Sequence, residues 1–195
     1  MTTVSAQDVT ARIAAMEKEM LEKKKELTEL RRQAPPEEVK EYTFTSADGS
    51  KETLAELFGE KDELILIHNM GKRCSFCTLW ADGFIGITGH MEDRVGFALI
   101  SFDPPDVMKE FTKDRGWTFK YLSAHGTTFS KDMGFASDKG DPQPGVSSFR
   151  KDDNGKITRV AHTSFGPGDD FCSVWSFLDL LPEGARGWQP KFSYN

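Results

Sequence analysis

The sequence predicts an α/β protein with a central mixed sheet flanked by helices and a long helix at the N-terminus. Two apolar stretches of strand length, ELILIHNM (63–70) and VGFALISF (95–102), are typical of strands buried on both faces. Each is followed by a helical pattern, as expected for parallel strands. Residues 145–163 hold two strand-like stretches around Asp-Asn-Gly, which indicates an antiparallel hairpin.

The first 36 residues form one amphipathic helical region. Apolar residues recur at alternating steps of three and four, with one charged exception at Lys23. The seam consists of Ala6, Val9, Ile13, Met16, Met20, Lys23, Leu27 and Leu30. The helix is expected over residues 6–32 and ends before Pro35-Pro36. It either packs on its own domain or serves as a dimerisation arm in a homodimer, and the sequence leaves both alternatives open.

Residues 37–185 supply the elements of the main domain, and residues 186–195 form an irregular tail. A strand and a turn at Asp48-Gly49 lead into a short helix that ends at Gly59. The later elements are a helix that begins at the first cysteine, a helix over 104–116, a strand over 117–123, the hairpin, and a helix within 169–184 that Asp169 or Asp170 caps. A parallel half, an antiparallel hairpin and a closing helix describe the thioredoxin fold.

Composition excludes several classes of function. The net charge of -6 and the pI near 5.3 argue against a nucleic-acid partner, which requires a basic surface. No apolar stretch approaches the roughly 20 residues that span a membrane, and no secretory signal is apparent. We therefore expect a cytoplasmic protein. Thiols stay reduced there, so a cysteine pair favours a catalytic or metal-binding role over a structural disulfide. The presence of only three cysteines also argues against a scaffold held by disulfides.

The stretch GKRCSFCTLW (71–80) is the strongest functional signal. Cys74 and Cys77 follow a buried strand and open a helix, where free N–H groups stabilise a thiolate. Lys72 and Arg73 add two positive charges. We expect Cys74 to attack and Cys77, one turn later, to resolve a mixed disulfide. If both were inert core thiols, the neighbouring cations would be unexplained.

Histidines and prolines near the same sheet edge are candidate partners of the dithiol. A hairpin centred on residues 153–154 pairs Val146 with Ala161 or His162, which brings His162 towards the sulfurs. His125 follows a parallel strand, at the edge where open α/β sheets bind ligands. Pro142 or Pro144 is a candidate for a cis proline. His68 lies near the end of the dithiol strand, whereas His90 is expected on the surface. Cys172 is expected in a structural position, with a third thiol for disulfide relay as the alternative.

The chain resembles bacterial thioredoxin-like proteins, long of unknown function, that are described as predicted dithiol-disulfide oxidoreductases. The resemblance covers most of the chain, from KKKELTELRRQ to the strand end at residues 162–164. Its motifs include Trp80-Ala81-Asp82 after the cysteines and His162-Thr163-Ser164 at a strand end. Its most specific stretch consists of Gly116-Trp117, Phe119, Ser123 and His125-Gly126. It implies a thioredoxin-like fold and a redox dithiol at Cys74 and Cys77, without a defined substrate. The stretch NMGKR before Cys74 is shorter than the family's loop.

Three hypotheses on function follow, of which the first two are the main alternatives. The first is a thiol-disulfide oxidoreductase that needs no cofactor and acts on a protein or small molecule carrying a thiol or disulfide, through Cys74, Cys77, Arg73, His162 and His125. The second is a copper or zinc protein, either a chaperone or a small-molecule-modifying enzyme. Its metal ligands would be Cys74, Cys77 and His162. A third hypothesis is a non-enzymatic scaffold with an inactive dithiol.

Overall fold

The computed structural model describes residues 5–113 and 115–194. Residues 1–4 of the predicted N-terminal region, Asp114 in the helical stretch 104–116 and Asn195 in the tail lie outside the described residues. The chain divides into two compact units, Met1–Pro36 and Glu37–Asn195. None of the helices of the described residues is both long and apolar enough to cross a membrane.

The first unit is the helix α1 (Ala6–Gln33), which confirms the predicted helix. Ser5 caps it: the Ser5 hydroxyl accepts the N–H of Asp8 at 3.1 Å, and the Asp8 carboxylate accepts the N–H of Ser5 at 3.3 Å. No residue of α1 is buried. The large apolar residues of its seam are exposed to between 45% (Val9) and 70% (Met20).

The second unit is built on an eight-stranded mixed sheet. The strands are β1 (Glu37–Glu38), β2 (Thr43–Ser46), β3 (Lys51–Thr53), β4 (Glu63–Asn69), β5 (Gly96–Ser101), β6 (Lys120–Ser123), β7 (Gly145–Lys151) and β8 (Ile157–Ser164). Their order across the sheet is β1-β8-β7-β4-β5-β6-β2-β3. The neighbours β4, β5 and β6 are parallel, and every other pair is antiparallel.

The helices cover both faces of this sheet. They are α2 (Ser75–Phe84), α3 (Thr88–Arg94), α4 (Pro105–Thr112), α5 (Phe129–Asp132) and α6 (Ser173–Asp179), with a 3₁₀ helix at Glu56–Phe58. One apolar cluster joins α2 and α6 to Ile67 and Val146 of the sheet, and we call this side the dithiol face. The other cluster joins α5 and the 3₁₀ helix to neighbouring strand positions. We call it the histidine face because His68 lies within it, stacked on Phe129 and Phe135.

Several elements differ from the sequence prediction in their bounds; the helix predicted over 104–116, for example, is α4 (Pro105–Thr112). The third parallel strand begins at Lys120 instead of Trp117, whose indole N–H donates to the Asp82 carboxylate at 2.7 Å. The last helix begins after Cys172 and is not capped by Asp169 or Asp170. The Asp169 carboxylate instead accepts the N–H groups of Gly166 and Phe171, so it stabilises the preceding turn.

A bulge in the hairpin corrects the predicted register. Near the turn Lys151 faces Ile157, but the pairing shifts between Ser148 and Phe149. Beyond that point Val146 faces Thr163, and His162 faces Ser147. Side chains alternate between the faces of a strand, so a shift of one residue moves His162 to the other face of the sheet. The prediction that His162 approaches the sulfurs is therefore wrong.

Candidate functional site

The two cysteines lie where β4 passes into α2. Cys74 is the N-cap residue of α2, and its Sγ accepts the backbone N–H of Cys77 at 3.0 Å. Its carbonyl accepts the hydroxyl of Thr78 at 3.1 Å, which fixes the first turn. Cys74 is partly exposed, whereas Cys77 is buried in the core of the dithiol face. Cys74 is thus accessible to solvent, whereas Cys77 is not.

The surroundings move the two thiol pKa values in opposite directions. A hydrogen bond from the Cys77 side chain, supported by the backbone N–H groups of Cys77 and Phe76, lowers the pKa of Cys74 to about 7. The same hydrogen bond, together with burial, raises the pKa of Cys77 far above its ordinary value. Arg73 was predicted to stabilise the thiolate, but hydrogen bonds at the helix start account for the lowered pKa of Cys74.

The short loop before Cys74 is held by side chains from two strand ends. The Asn69 side chain accepts the N–H of Gly71 at 2.7 Å and donates to the Cys77 carbonyl at 3.5 Å. The Asp103 carboxylate accepts the N–H of Lys72 at 2.6 Å. Gly71 has a φ of 95°, and a Cβ built there would lie 2.6 Å from the Asp103 carboxylate. The NMGKR stretch therefore requires glycine at this position.

The residues that support this loop were missed by sequence reasoning. Asn69, Ser101 and Ser123 end three adjacent parallel strands, lie in one row across the sheet and are all buried. Ser101 accepts the N–H of Asp103 at 3.1 Å, and Ser123 donates to the Asp103 carbonyl at 2.6 Å. Polar residues at the ends of otherwise apolar strands are the signal that could have identified them, since buried polar groups need partners.

A cavity of about 710 Å³ opens beside Cys74. Its lining includes Met70, Lys72, Arg73, Cys74, Phe76, Phe102, Asp103, Pro104, Val107, His125 and Pro142. Lys72 and Arg73 are exposed, and within the described part of the chain neither side chain forms an ion pair with a carboxylate. This volume is in the range of small-molecule sites. The predicted residues Arg73 and His125 are thus brought to Cys74.

Other predicted site residues lie elsewhere. His162 is exposed on the histidine face, 6.2 Å from Phe135 between ring centroids. His68 is buried on the same face, where its Nε2 is 2.9 Å from the Ser147 hydroxyl. Burial, followed by the charges of Arg159 and His162, lowers the pKa of His68 well below its ordinary value, so the ring is neutral.

The cis-proline and metal predictions receive no geometric support. No peptide bond between described residues is cis, so the prediction for Pro142 or Pro144 is wrong, although Pro142 lines the cavity. In residues 5–113 and 115–194 no group of three His, Cys, Asp or Glu side chains is placed to hold a metal ion. His162 cannot join Cys74 and Cys77 because it lies on the opposite face.

The remaining candidates, His90 and Cys172, do not line the cavity beside Cys74. His90 is exposed, as predicted. Cys172 is buried in the apolar cluster that contains Cys77, at the N-cap of α6. Burial raises the pKa of the Cys172 thiol, which makes it a poor nucleophile.

Comparisons with known proteins agree with the fold. A structure of a hypothetical protein from Sinorhizobium meliloti 1021 is similar with a TM-score of 0.53 and 17% identity, over 82% of this chain and 88% of that one. Peroxidoxin BcpB from Mycobacterium tuberculosis has a TM-score of 0.51 and 19% identity, over 66% and 84%. Peroxiredoxin Q from Xanthomonas campestris has a TM-score of 0.53 and 13% identity, over 63% and 79%.

These likenesses confirm the predicted thioredoxin-like fold and, at such low identity, show the fold alone. No curated protein matches the chain in sequence. A family model described as bacterial protein of unknown function (DUF899) matches residues 3–193, nearly the whole chain. With its thioredoxin-like fold and a cysteine pair at the start of α2, the chain belongs to the DUF899 family of bacterial proteins.

Proposed function

We propose that this protein is a dithiol-disulfide oxidoreductase that reduces substrate disulfides, with Cys74 as the attacking and Cys77 as the resolving cysteine. The observation that carries the proposal is the contact at the start of α2, where the Cys77 N–H donates to Cys74 Sγ at 3.0 Å. That contact stabilises a thiolate in the only position of the pair that reaches the cavity.

The chemistry proceeds in two balanced exchanges. The Cys74 thiolate attacks one sulfur of a substrate disulfide, which forms a mixed disulfide and expels the other sulfur as a thiolate. The Cys77 thiol then attacks Cys74 Sγ, and its proton passes to the second substrate sulfur, which leaves as a thiol. Two electrons pass from the protein to the substrate, and the protein is left with a Cys74–Cys77 disulfide. An external dithiol reductant restores the starting state.

The pKa values of the pair suit this direction. A thiol whose pKa is near the ambient pH combines a large thiolate fraction with good nucleophilicity. The pKa of Cys74, at about 7, meets that condition near neutral pH. The raised pKa of Cys77 keeps it protonated until the mixed disulfide has formed and removed the negative charge from Cys74 Sγ. The difference between the two pKa values therefore supports an order in which Cys74 attacks first.

His125 is the residue that we assign to proton transfer. His125 lines the same cavity as Cys74, and its backbone N–H donates to the Ser123 hydroxyl at 3.1 Å, which anchors it at the end of β6. In the proposed reaction it donates a proton to the substrate thiolate that leaves. A His125→Gln substitution then slows turnover more for an alkyl disulfide than for an aromatic one, because the aromatic thiolate needs less help to leave.

The charges around the cavity extend the proposal to the substrate. Lys72 and Arg73 line the cavity together with the carboxylate of Asp103, and Phe76, Phe102 and Val107 contribute apolar surface. Unpaired cations attract negatively charged ligands. We therefore infer a preference for a disulfide that carries carboxylates, whether as a small molecule or on a protein. A cytoplasmic location belongs to the same proposal because the reductant must be supplied there.

Alkylation kinetics test the proposal directly. The rate of Cys74 alkylation by iodoacetamide, followed by mass spectrometry between pH 5 and 10, is expected to rise with a midpoint near 7 in the reduced protein. A Cys74→Ser variant is the control, since Cys77 and Cys172 are buried and should react slowly. A midpoint near the ordinary thiol value of about 8.5 would refute an activated Cys74.

The intramolecular disulfide provides a second test. Mild oxidation should link Cys74 to Cys77, and a Cys77→Ser variant should instead accumulate a stable mixed disulfide between Cys74 and a substrate thiol. A wild-type protein in which oxidation leaves both cysteines free would overturn the proposal. Copper or zinc binding remains a prediction without a ligand cluster to support it; metal analysis of protein purified without chelators is the measurement that would revive it.

A further inference from the structure

The helix α1 carries a surface that the dithiol chemistry does not use. Its 28 residues form a continuous helix, none of them buried, with a seam of apolar residues along one side. Seam positions spaced by alternating steps of three and four are the a and d positions of a heptad repeat. Here Ala6, Ile13, Met20 and Leu27 occupy a, while Val9, Met16, Lys23 and Leu30 occupy d. Such a seam is buried when two helices pair.

The residues on either side of the seam identify the partner. In a parallel pair, each g residue lies beside the e residue of the next heptad in the other helix. Applied to two identical, in-register copies of α1, this rule joins Arg12 to Glu17, Glu19 to Lys24, and Glu26 to Arg31. All three pairs join opposite charges. By symmetry each occurs twice, so the flanks of α1 are complementary to a second copy of the same helix.

The opposite orientation fits the same residues less well. In an antiparallel pair with fully overlapping seams, g positions face g positions and e positions face e positions. Glu19 then lies beside its own counterpart, and so does Glu17. Like charges in these positions weaken pairing. The charge pattern thus distinguishes between the two orientations and favours the parallel one.

Lys23 at a d position destabilises this arrangement, because the two copies of Lys23 lie next to each other in a parallel pair. Its Nζ bonds the Glu26 carboxylate at 2.9 Å within the same helix, which places a negative charge beside it. A single polar residue in the seam lowers stability but penalises shifted registers. Lys23 therefore weakens the helix pair and limits the registers in which the two helices can pair.

We propose that α1 forms a parallel, in-register coiled-coil dimer with α1 of a second copy of this chain. The inference rests on the seam and its flanking charges and is independent of the proposed dithiol chemistry.

Sedimentation velocity of the full-length protein over a concentration series tests the pairing. A monomer–dimer equilibrium is expected. Lys23→Leu removes the charge from the seam and should tighten the dimer more than tenfold, while Lys25→Leu at an outward-facing position should leave the dissociation constant unchanged. A protein that stays monomeric at every concentration, also with Lys23→Leu, would overturn the proposal.

Charge reversal tests the orientation. Glu19→Lys alone places two lysines together on each side of the dimer and should weaken it about tenfold, and Lys24→Glu alone should do the same. The double variant Glu19→Lys/Lys24→Glu restores opposite charges only in the parallel, in-register arrangement, so its dissociation constant should return to that of the wild type. A double variant as weak as the single ones would refute this orientation.

Cross-linking provides an independent measure that does not depend on affinity. In a background in which Cys74, Cys77 and Cys172 are replaced by serine, Val9→Cys is expected to form a disulfide between copies under mild oxidation, because identical d positions adjoin in a parallel pair. Lys18→Cys, on the outer side of the helix, is the control. Equal cross-linking of the two variants would contradict the proposal. Circular dichroism verifies that the background is folded.

Discussion

The two faces of the sheet have opposite effects on the charged forms of their titratable side chains. On the dithiol face Cys74 is partly exposed and hydrogen-bonded, which lowers its pKa to about 7 and stabilises its charged form. On the histidine face His68 is fully enclosed between aromatic rings, with a pKa far below its ordinary value, so its charged form is excluded. Cys74 thus has two features that His68 lacks, access to a cavity and hydrogen bonds that stabilise its charged form.

The largest expected effect is on turnover, which we compare between a variant on the dithiol face and one on the histidine face. Cys74→Ser should abolish the reduction of a small disulfide, because Cys74 is the one cysteine among the described residues that line the cavity. His162→Gln, on the histidine face, should leave the same rate unchanged. Turnover with dithiothreitol as the reductant and an aromatic disulfide as the substrate is the measurement. If His162→Gln lowers turnover substantially, the contrast between the faces is wrong and the functional role predicted for His162 from sequence is supported after all.

The second prediction concerns the loop that positions Cys74. Gly71→Ala combines a positive φ with a contact of 2.6 Å between the new Cβ and the Asp103 carboxylate. We expect the free energy of unfolding to fall by about 3 kcal/mol, and the alkylation rate of Cys74 to change with it.

Gly49→Ala is the matched control for this change. Gly49 has a φ of 89°, but a Cβ built there meets no atom within 4 Å. Only the backbone cost of about 1–2 kcal/mol remains, and Cys74 should keep its reactivity. Urea denaturation measures both variants. Equal losses of stability would show that the contact with Asp103 relaxes easily and does not constrain the loop.

The comparison of the faces also shows what the sequence could and could not predict. Buried strands such as 63–70 and the helix start at Cys74 follow from local patterns, so the fold class and the position of the dithiol were predicted correctly. The position of His162 was not, because it depends on a single bulge between Ser148 and Phe149. A hairpin pattern specifies that two strands pair, but a bulge changes the face of every later residue.

The polar support of the loop was missed for a related reason. Asp103 and Ser123 are distant in sequence from Cys74, and their role depends on the alignment of three parallel strands at one edge. Single-sequence patterns carry little information on such alignment. Likewise, Arg73 adjoins Cys74 in sequence, yet hydrogen bonds at the helix start lower the pKa of the thiol. Proximity along the chain was therefore a weaker guide than the geometry of the N-cap.

The third prediction concerns the pH dependence of stability, which should reflect the burial of His68 on the histidine face. The folded-state pKa of His68 lies well below that of an unfolded chain, near 6.5, so the folded protein holds His68 without a proton. The stability of this arrangement is present above the unfolded pKa and is lost as the pH falls below it. His68 alone should lower the free energy of unfolding by about 1.4 kcal/mol per pH unit below 6.5.

A double variant isolates that contribution. His68→Phe/Ser147→Ala removes the titrating ring together with its 2.9 Å partner, so no buried hydroxyl is left without a bond. When the pH falls from 6 to 4.5, the free energy of unfolding should decrease less in this variant than in the wild type. Identical slopes in urea denaturation would mean that His68 takes up a proton without unfolding the histidine face.

The smallest expected effect concerns the charges at the cavity. Arg73→Glu should lower the rate of reduction of a dicarboxylate disulfide about threefold, because one attractive charge in the lining of the cavity becomes repulsive. An uncharged disulfide of similar size should be affected less. Lys109→Glu, which changes the net charge equally on an exposed residue of α4 that does not line the cavity, is the control. The difference between the two substrates should shrink at high salt, because ions screen exposed charges. A loss that is equal for both substrates would assign Arg73 to the structure of the helix start instead of substrate attraction.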